Sequence, residues 1–227
     1  MVQHVAIIPD GNRRWAKQKG KPSVEGHRYA VEHTLPELFD VLQELDIKYC
    51  TIWLLSPENF TKRTPSEVSN LLFLLKWFLH KRIDEFERKG VRLNVIGDIP
   101  GLPEDMQNEL QNAVKKTSQN TKTIVTFAIN YGGKDEMLRA MRKMTEARLT
   151  PSEITRETFE QYLDTPNLPE PDLIIRTGGE TRTSGFMLWQ SEYTEYCFTE
   201  TLFPDFSPKE LAQCLEDYRA RKRRFGK

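Results

Sequence analysis

Short apolar runs alternate with longer stretches of helical spacing along most of this chain. The runs Val5 to Ile8, Tyr49 to Leu55, Val91 to Ile96, Thr123 to Ile129 and Leu173 to Ile175 read as buried strands, with Tyr196 to Phe198 as a sixth. Helical patterns fill the intervals near 25–45, 65–89, 104–118, 133–147, 155–163 and 208–224. This alternation predicts one α/β domain over residues 1–227, with a mostly parallel central sheet flanked by helices. The segment Pro65 to Lys89 stands apart. Val68, Leu71, Leu72, Leu75, Leu79, Ile83 and Phe86 mark one face, and Phe73, Leu74, Trp77 and Phe78 widen it well past a stripe. Such a helix must be covered on more than one side. Packing between the sheet and another helix or subunit satisfies that demand; so does lining an apolar tunnel for a hydrocarbon, and the two are compatible.

Ligands of parallel sheets bind beyond the carboxyl ends of the strands. Polar clusters follow four of the predicted strands: Asp10 to Arg14, Ser56 to Asn59, Asn130 to Gly133 and Arg176 to Ser184. The first follows a strand and opens a helix, a place where backbone N–H groups and the helix dipole hold anions. Arg13 and Arg14 add charge there, whereas Asp10 would repel a bare phosphate unless a metal ion bridged the two. This points to a magnesium-bound diphosphate. The plainer account is an Asp-Gly turn followed by a helix with surface arginines. Lys62, Arg63, Arg176 and Arg182 lie after other strands, and the guanidinium fork suits diphosphate oxygens. Gly178 and Gly179 allow close backbone approach. His27, by itself, reads first as a structural hydrogen-bonding group.

Composition narrows the partners. Lysine plus arginine and aspartate plus glutamate number 33 each, so nothing calls for nucleic acid. No apolar stretch is long enough to span a bilayer and no signal peptide is visible, so any membrane role would be peripheral. Cys50, Cys197 and Cys214 lack metal spacing and cannot all pair, which fits a reducing, cytoplasmic setting.

The quoted segments together resemble the cis-prenyltransferase family of the undecaprenyl diphosphate synthase type. The resemblance runs from His4 to Gly226 and rests on His4 to Ala16, Gly26-His27, Ser56-Pro57-Glu58-Asn59-Phe60, Asn130 to Gly133, Asp172 to Glu180, Phe186 to Gln190, Phe203 to Phe206 and Arg223 to Gly226. It implies condensation of isopentenyl diphosphate with an allylic prenyl diphosphate to give a Z-configured product, with Mg²⁺ as cofactor and a homodimer as the working form. Asp10 would bind the metal and Glu195 would complete its site. Gly11, Asn12, Arg13, Arg14 and His27 would hold the allylic diphosphate, with Trp15 at its border. Arg176, Arg182, Thr183 and Ser184 would grip isopentenyl diphosphate. Asn59 would sit with Ser56 where a proton is lost, and Pro57, Glu58, Phe60 and Lys62 would complete that substrate-binding loop. Arg224 to Gly226 would reach a partner's active site.

Three positions depart from the family pattern. Ser23 stands where an arginine is usual, Phe60 replaces a tryptophan and Lys62 an arginine. In the family it resembles, a large residue at the Leu54 position goes with shorter products, so the resemblance implies a short- to medium-chain product. A non-catalytic accessory subunit and an irregular coupling of two allylic diphosphates are the alternatives.

Overall fold

A computed structural model describes residues 2–221, so the Arg224 to Gly226 segment lies outside the described residues. Six strands form one sheet: β1 (His4–Ile8), β2 (Tyr49–Trp53), β3 (Val91–Ile96), β4 (Thr123–Ala128), β5 (Leu173–Arg176) and β6 (Glu195–Phe198). Their order is β3-β4-β2-β1-β5-β6, and every pairing is parallel. Parallel neighbours need crossovers. Nine helices are described: α1 (Asn12–Gln18), α2 (Ser23–Tyr29), α3 (Leu35–Glu44), α4 (Pro57–Lys62), α5 (Pro65–Lys89), α6 (Glu104–Lys116), α7 (Gly133–Glu146), α8 (Arg156–Tyr162) and α9 (Pro208–Ala220). The predicted 25–45 helix is not uniform. Between α2 and α3 it opens into a π turn over Ala30–Thr34.

The period-two geometry of strands divides the interior. Val5, Ile7, Cys50, Ile52, Leu93, Val125 and Phe127 point to the face packed by α3, α5, α6 and α9. Ala6, Ile8, Ile96, Ala128 and Ile174 point the other way, against Tyr131, Phe186 and Met187. Helix α5 begins at a reciprocal cap, with Thr64 N–H donating to Glu67 Oε2 (3.0 Å) and Glu67 N–H to Thr64 Oγ1 (3.3 Å). It ends at Gly90, whose φ of 71° suits glycine. Leu72, Leu75 and Phe78 are buried, while Phe73 is exposed, so the apolar arc is narrower than the sequence implies.

The second sheet face carries a buried hydrogen-bonded polar cluster, in which Gln190 Oε1 is left without a partner. Tyr131 donates to Glu136 Oε2 (2.6 Å), as do Gln190 (3.0 Å) and, to Oε1, the Asp164 N–H (3.0 Å). Burial raises the Glu136 pKa, and these donors oppose the rise. Packing of α9 against β6 draws Cys197 and Cys214 together as a disulfide, with Cα atoms 6.1 Å apart; Cys50 stays free and buried. Seventeen residues separate the pair in sequence, so spacing alone did not reveal it.

His4 is fully buried on β1. Its Nδ1–H donates to the Pro169 carbonyl (2.7 Å), and Nε2 accepts from Thr51 Oγ1 (2.8 Å). Burial holds its pKa down at about 4, from an ordinary 6.5. The unfolded chain therefore binds the extra proton first. The stability from neutral His4 is complete above pH 6.5 and is lost as pH falls toward 4. By pH 5 the loss is about 2 kcal/mol. Urea unfolding of the wild type and of His4→Asn at pH 7.5 and pH 5 checks this: the variant should lose less on acidification, and equal losses would refute it.

Candidate active site

The site grows from the loop after β1. Asp10 lies two residues beyond the end of β1, and the Gly11 N–H donates to its Oδ1 (2.6 Å). Beside it, Arg176 ends β5, level with Ile8 in the parallel register. The Arg176 side chain is only 6% exposed, so its charge requires partners. Nη2 donates to Asp10 Oδ2 (2.9 Å), and Nη1 donates to Ser184 Oγ (2.7 Å) and to the Arg182 carbonyl (2.5 Å). Arg14 approaches Asp10 Oδ1 at 3.4 Å, one turn along α1. With only seven residues in α1, the arginines rather than a helix dipole dominate the charge here.

Gly26 explains how His27 arrives. A Cβ at Gly26 would lie 2.0 Å from the Asn12 carbonyl oxygen, so only glycine lets α2 press against the loop. His27 Nδ1–H donates weakly to the Ser23 carbonyl (3.3 Å). Burial first, then the nearby Arg63 and Arg13 charges, hold the His27 pKa at about 4. At neutral pH the ring is uncharged, with Nε2 left as an acceptor.

These groups open onto a cavity of about 460 Å³. Its polar end has Asp10, Gly11, Asn12, Arg13, Arg14, His27, Ser56, Asn59, Arg63 and Arg176. Its depth is apolar, with Val31, Leu35, Leu54, Leu74, Phe78 and Phe127. Asp10 is the one carboxylate in this lining, against four guanidinium groups, so the polar end is built for anions. An exposed turn would not serve this purpose: the low-dielectric wall strengthens each interaction.

Several expected residues lie elsewhere. Trp15 is buried behind the loop and donates to Asp205 Oδ1 (2.7 Å). Pro57, Glu58, Phe60 and Lys62 are on α4 but outside the cavity lining. Arg63, not Lys62, takes the place at the mouth, because α4 ends there and Arg63 turns back in an extended conformation (φ −95°, ψ 156°). Burial and the Arg13 charge press its pKa down, with Glu67 opposing. Arg182 is exposed and paired with Glu180, and Thr183 is likewise outside the lining. Ser184 reaches the site through Arg176.

Glu195 lies away from Asp10 within the chain. It opens β6, level with Leu173 and thus with Val5, at the amino end of the sheet. Asp10 is beyond the carboxyl end. Glu195 instead pairs with Arg221 (2.7 Å). Within one chain the two carboxylates do not meet, and no group of three or more His, Cys, Asp or Glu side chains among the described residues suits a metal. The sequence showed the strand but not the residue's end of it.

Comparison with known proteins gives this geometry its context. Residues 8–226 match the prenyltransferase family described as "Putative undecaprenyl diphosphate synthase". An isoprenyl transferase of Heliobacterium mobile is 44% identical over 99% of this chain and 87% of its own length. One of Agrobacterium fabrum is 44% identical, over 99% and 92%. Among solved structures, lavandulyl diphosphate synthase from Lavandula x intermedia, in complex with dimethylallyl diphosphate, superposes with a TM-score of 0.94 at 38% identity, covering 100% of this chain and 98% of the other. A probable undecaprenyl diphosphate synthase from Campylobacter jejuni gives 0.84 at 32%, covering 100% and 99%. With the sheet, the arginine-ringed mouth and a full-length match in agreement, the chain belongs to the undecaprenyl diphosphate synthase family of cis-prenyltransferases.

Proposed function

We propose that this prenyltransferase extends a short allylic diphosphate with isopentenyl diphosphate, and that the cavity limits the product to short or medium length. The carrying observation is the cavity itself: guanidinium groups line its polar part, and apolar side chains, Leu54, Phe78 and Phe127 among them, line the rest. A volume of about 460 Å³ suits a ligand of modest size rather than a long polyprenyl tail.

The allylic diphosphate sits with its phosphates on Arg13, Arg14 and Arg63 and its tail along Val31 and Leu54. Its C1–O bond breaks, and the diphosphate leaves with the electron pair. Guanidinium groups stabilise the charge that develops on it. The double bond of isopentenyl diphosphate, held by Arg176 with Ser184, then attacks C1, and a proton leaves its C2. Arg182 turns from Glu180 to join the second diphosphate. Asn59 Oδ1 faces the Ser56 N–H at a long 3.4 Å, which leaves its amide N–H for the cavity. An amide N–H donates and takes no proton. Asn59 therefore orients a diphosphate oxygen, and that oxygen receives the proton.

The residues fit Mg²⁺. Asp10 is a hard oxygen donor, and Asn12 Oδ1 is buried with no hydrogen-bond partner while its Nδ2 donates to Pro9 O (2.9 Å). An amide oxygen cannot hydrogen-bond an unprotonated diphosphate, so it suits a cation or its water. Mg²⁺ is commonly held by one or two carboxylates plus substrate phosphates, which is what Asp10 alone can offer. When bound, the ion neutralises the leaving diphosphate. In the same proposal the chain works as a homodimer that touches a membrane only peripherally. Among the described residues no helix is long and apolar enough to cross one.

A second reading is the joining of two allylic diphosphates. The likeness to lavandulyl diphosphate synthase, and Ser23 where an arginine is usual, leave it open. Incubation with Mg²⁺ separates the readings by product mass. Product that requires isopentenyl diphosphate supports extension, whereas product from dimethylallyl diphosphate alone supports coupling. A polyprenol-length product would overturn the length limit. Asp10→Ala should lower turnover about 100-fold or more, and a near-normal rate in a steady-state assay would remove Asp10 from this role. His27 provides a check without turnover. Bound diphosphate offsets Arg63 and Arg13, so the imidazole pKa should climb from about 4 when inorganic diphosphate is added. Histidine NMR titration reads it, and an unmoved resonance counts against His27 facing the phosphates.

A further inference from the structure

We propose that the π turn between α2 and α3, imposed by Pro36, sets Leu35 into the cavity wall and thereby limits the length of allylic tail the chain accepts. The inference rests on the prenyl-transfer reading above and adds a specificity-determining residue to it.

Pro36 is the second residue of α3. Proline has no N–H to donate, and in an α-helix its ring would strike the carbonyl four residues back, that of Glu32. The backbone avoids this by widening one turn. The Leu35 N–H donates to the Ala30 carbonyl, five residues back instead of four. This changes which side chains share a face. At 3.6 residues per turn, Leu35 would stand about 80° around the helix from His27. The wider turn takes back most of that rotation. His27, Ala30, Val31 and Leu35 consequently line the same cavity, from the phosphate end to the dry end. Leu35 is 3% exposed, so it presents its isobutyl group to the cavity and the core rather than to solvent.

The turn is also tied down. Thr34, inside it, is buried, and its Oγ1 donates to the Pro204 carbonyl (2.9 Å). The same short turn, Phe203–Asp205, takes the Trp15 indole N–H on Asp205, and its Phe203 N–H donates to the Asp10 carbonyl (2.9 Å). Leu35 therefore keeps a defined distance from the metal-binding loop. A wall residue held in register with the phosphate end acts as a ruler for the tail.

The test reads binding, so it stands apart from catalysis. Unreactive thiolo-diphosphate analogues with one, two, three and four isoprene units are titrated into the purified full chain by calorimetry. Leu35→Ala should tighten the first analogue that the wild type binds poorly by roughly tenfold, the scale of one misfit group in an apolar pocket. Affinity for the one-unit analogue should hold. Pro36→Ala restores the missing N–H, lets the turn relax to α and should move the same break point. Leu35→Val serves where Leu35→Ala does not fold, as judged by circular dichroism. A wild-type length profile in a folded Leu35 variant, or in Pro36→Ala, overturns the proposal. If the profile shifts while the wild type makes no product, the length inference stands and the catalytic reading falls.

Discussion

A buried guanidinium organises this site. Removing the Arg176 charge from water carries a penalty that only close partners offset, and breaking such a set leaves an uncompensated charge. Its three partners come from two loops: Asp10 from the loop after β1, and the Arg182 carbonyl and Ser184 hydroxyl from the loop after β5. Satisfying one side chain thus fixes two loops relative to each other. Nε of Arg176 is buried without a partner, so the cluster still has donor capacity. In this state Asp10 is held by cations and a backbone N–H. A metal-bound diphosphate would compete for the same groups, exchanging one set of charge contacts for another in a site whose geometry is already set.

The scaffold makes that exchange local. Parallel strands end together, so β1 and β5 deliver Asp10 and Arg176 to one edge without any long loop. The Phe203–Asp205 turn closes the edge from outside and touches the Asp10 carbonyl, Trp15 and Thr34. Trp15 matters here as a strut: its buried ring fixes α1 and leaves Arg14 facing the mouth.

Features governed by local periodicity were legible in the sequence. All six strands and the long α5 follow from runs and spacings, and the Asp10 and Arg176 loops follow from their positions after strands. Features that depend on three-dimensional rotation were not. Lys62 and Arg63 are adjacent, and only the end of α4 decides that Arg63 faces the cavity. Glu195 lies in a strand that the sequence shows, but its place at the amino end, away from Asp10 in the same chain, emerges only from the register. The Cys197–Cys214 pairing needed the docking of α9, which no spacing encodes. Pro36 was visible as a residue, yet its effect on the 25–45 helix was a widened turn rather than a break, because Ala30 still had a carbonyl to offer.

These particulars bear on how one cavity serves two opposed demands. The leaving diphosphate needs dense positive charge, whereas a carbocation beside it needs surroundings that neither add to it nor repel it. Four guanidinium groups at one end would penalise a nearby cation if nothing screened them. In the proposed binding mode the developing diphosphate would supply that screen, because it would lie between the arginines and the cationic carbon. The apolar depth then has a second duty besides holding the tail: it keeps water, the competing nucleophile, away from C1. Neutral His27 fits between the two regimes. A charged imidazole there would add to the positive field, and burial together with Arg63 and Arg13 keeps it uncharged at neutral pH. The polar mouth and the dry interior are therefore not separate sites joined by chance. The charge state of the mouth is what makes the interior safe for the intermediate.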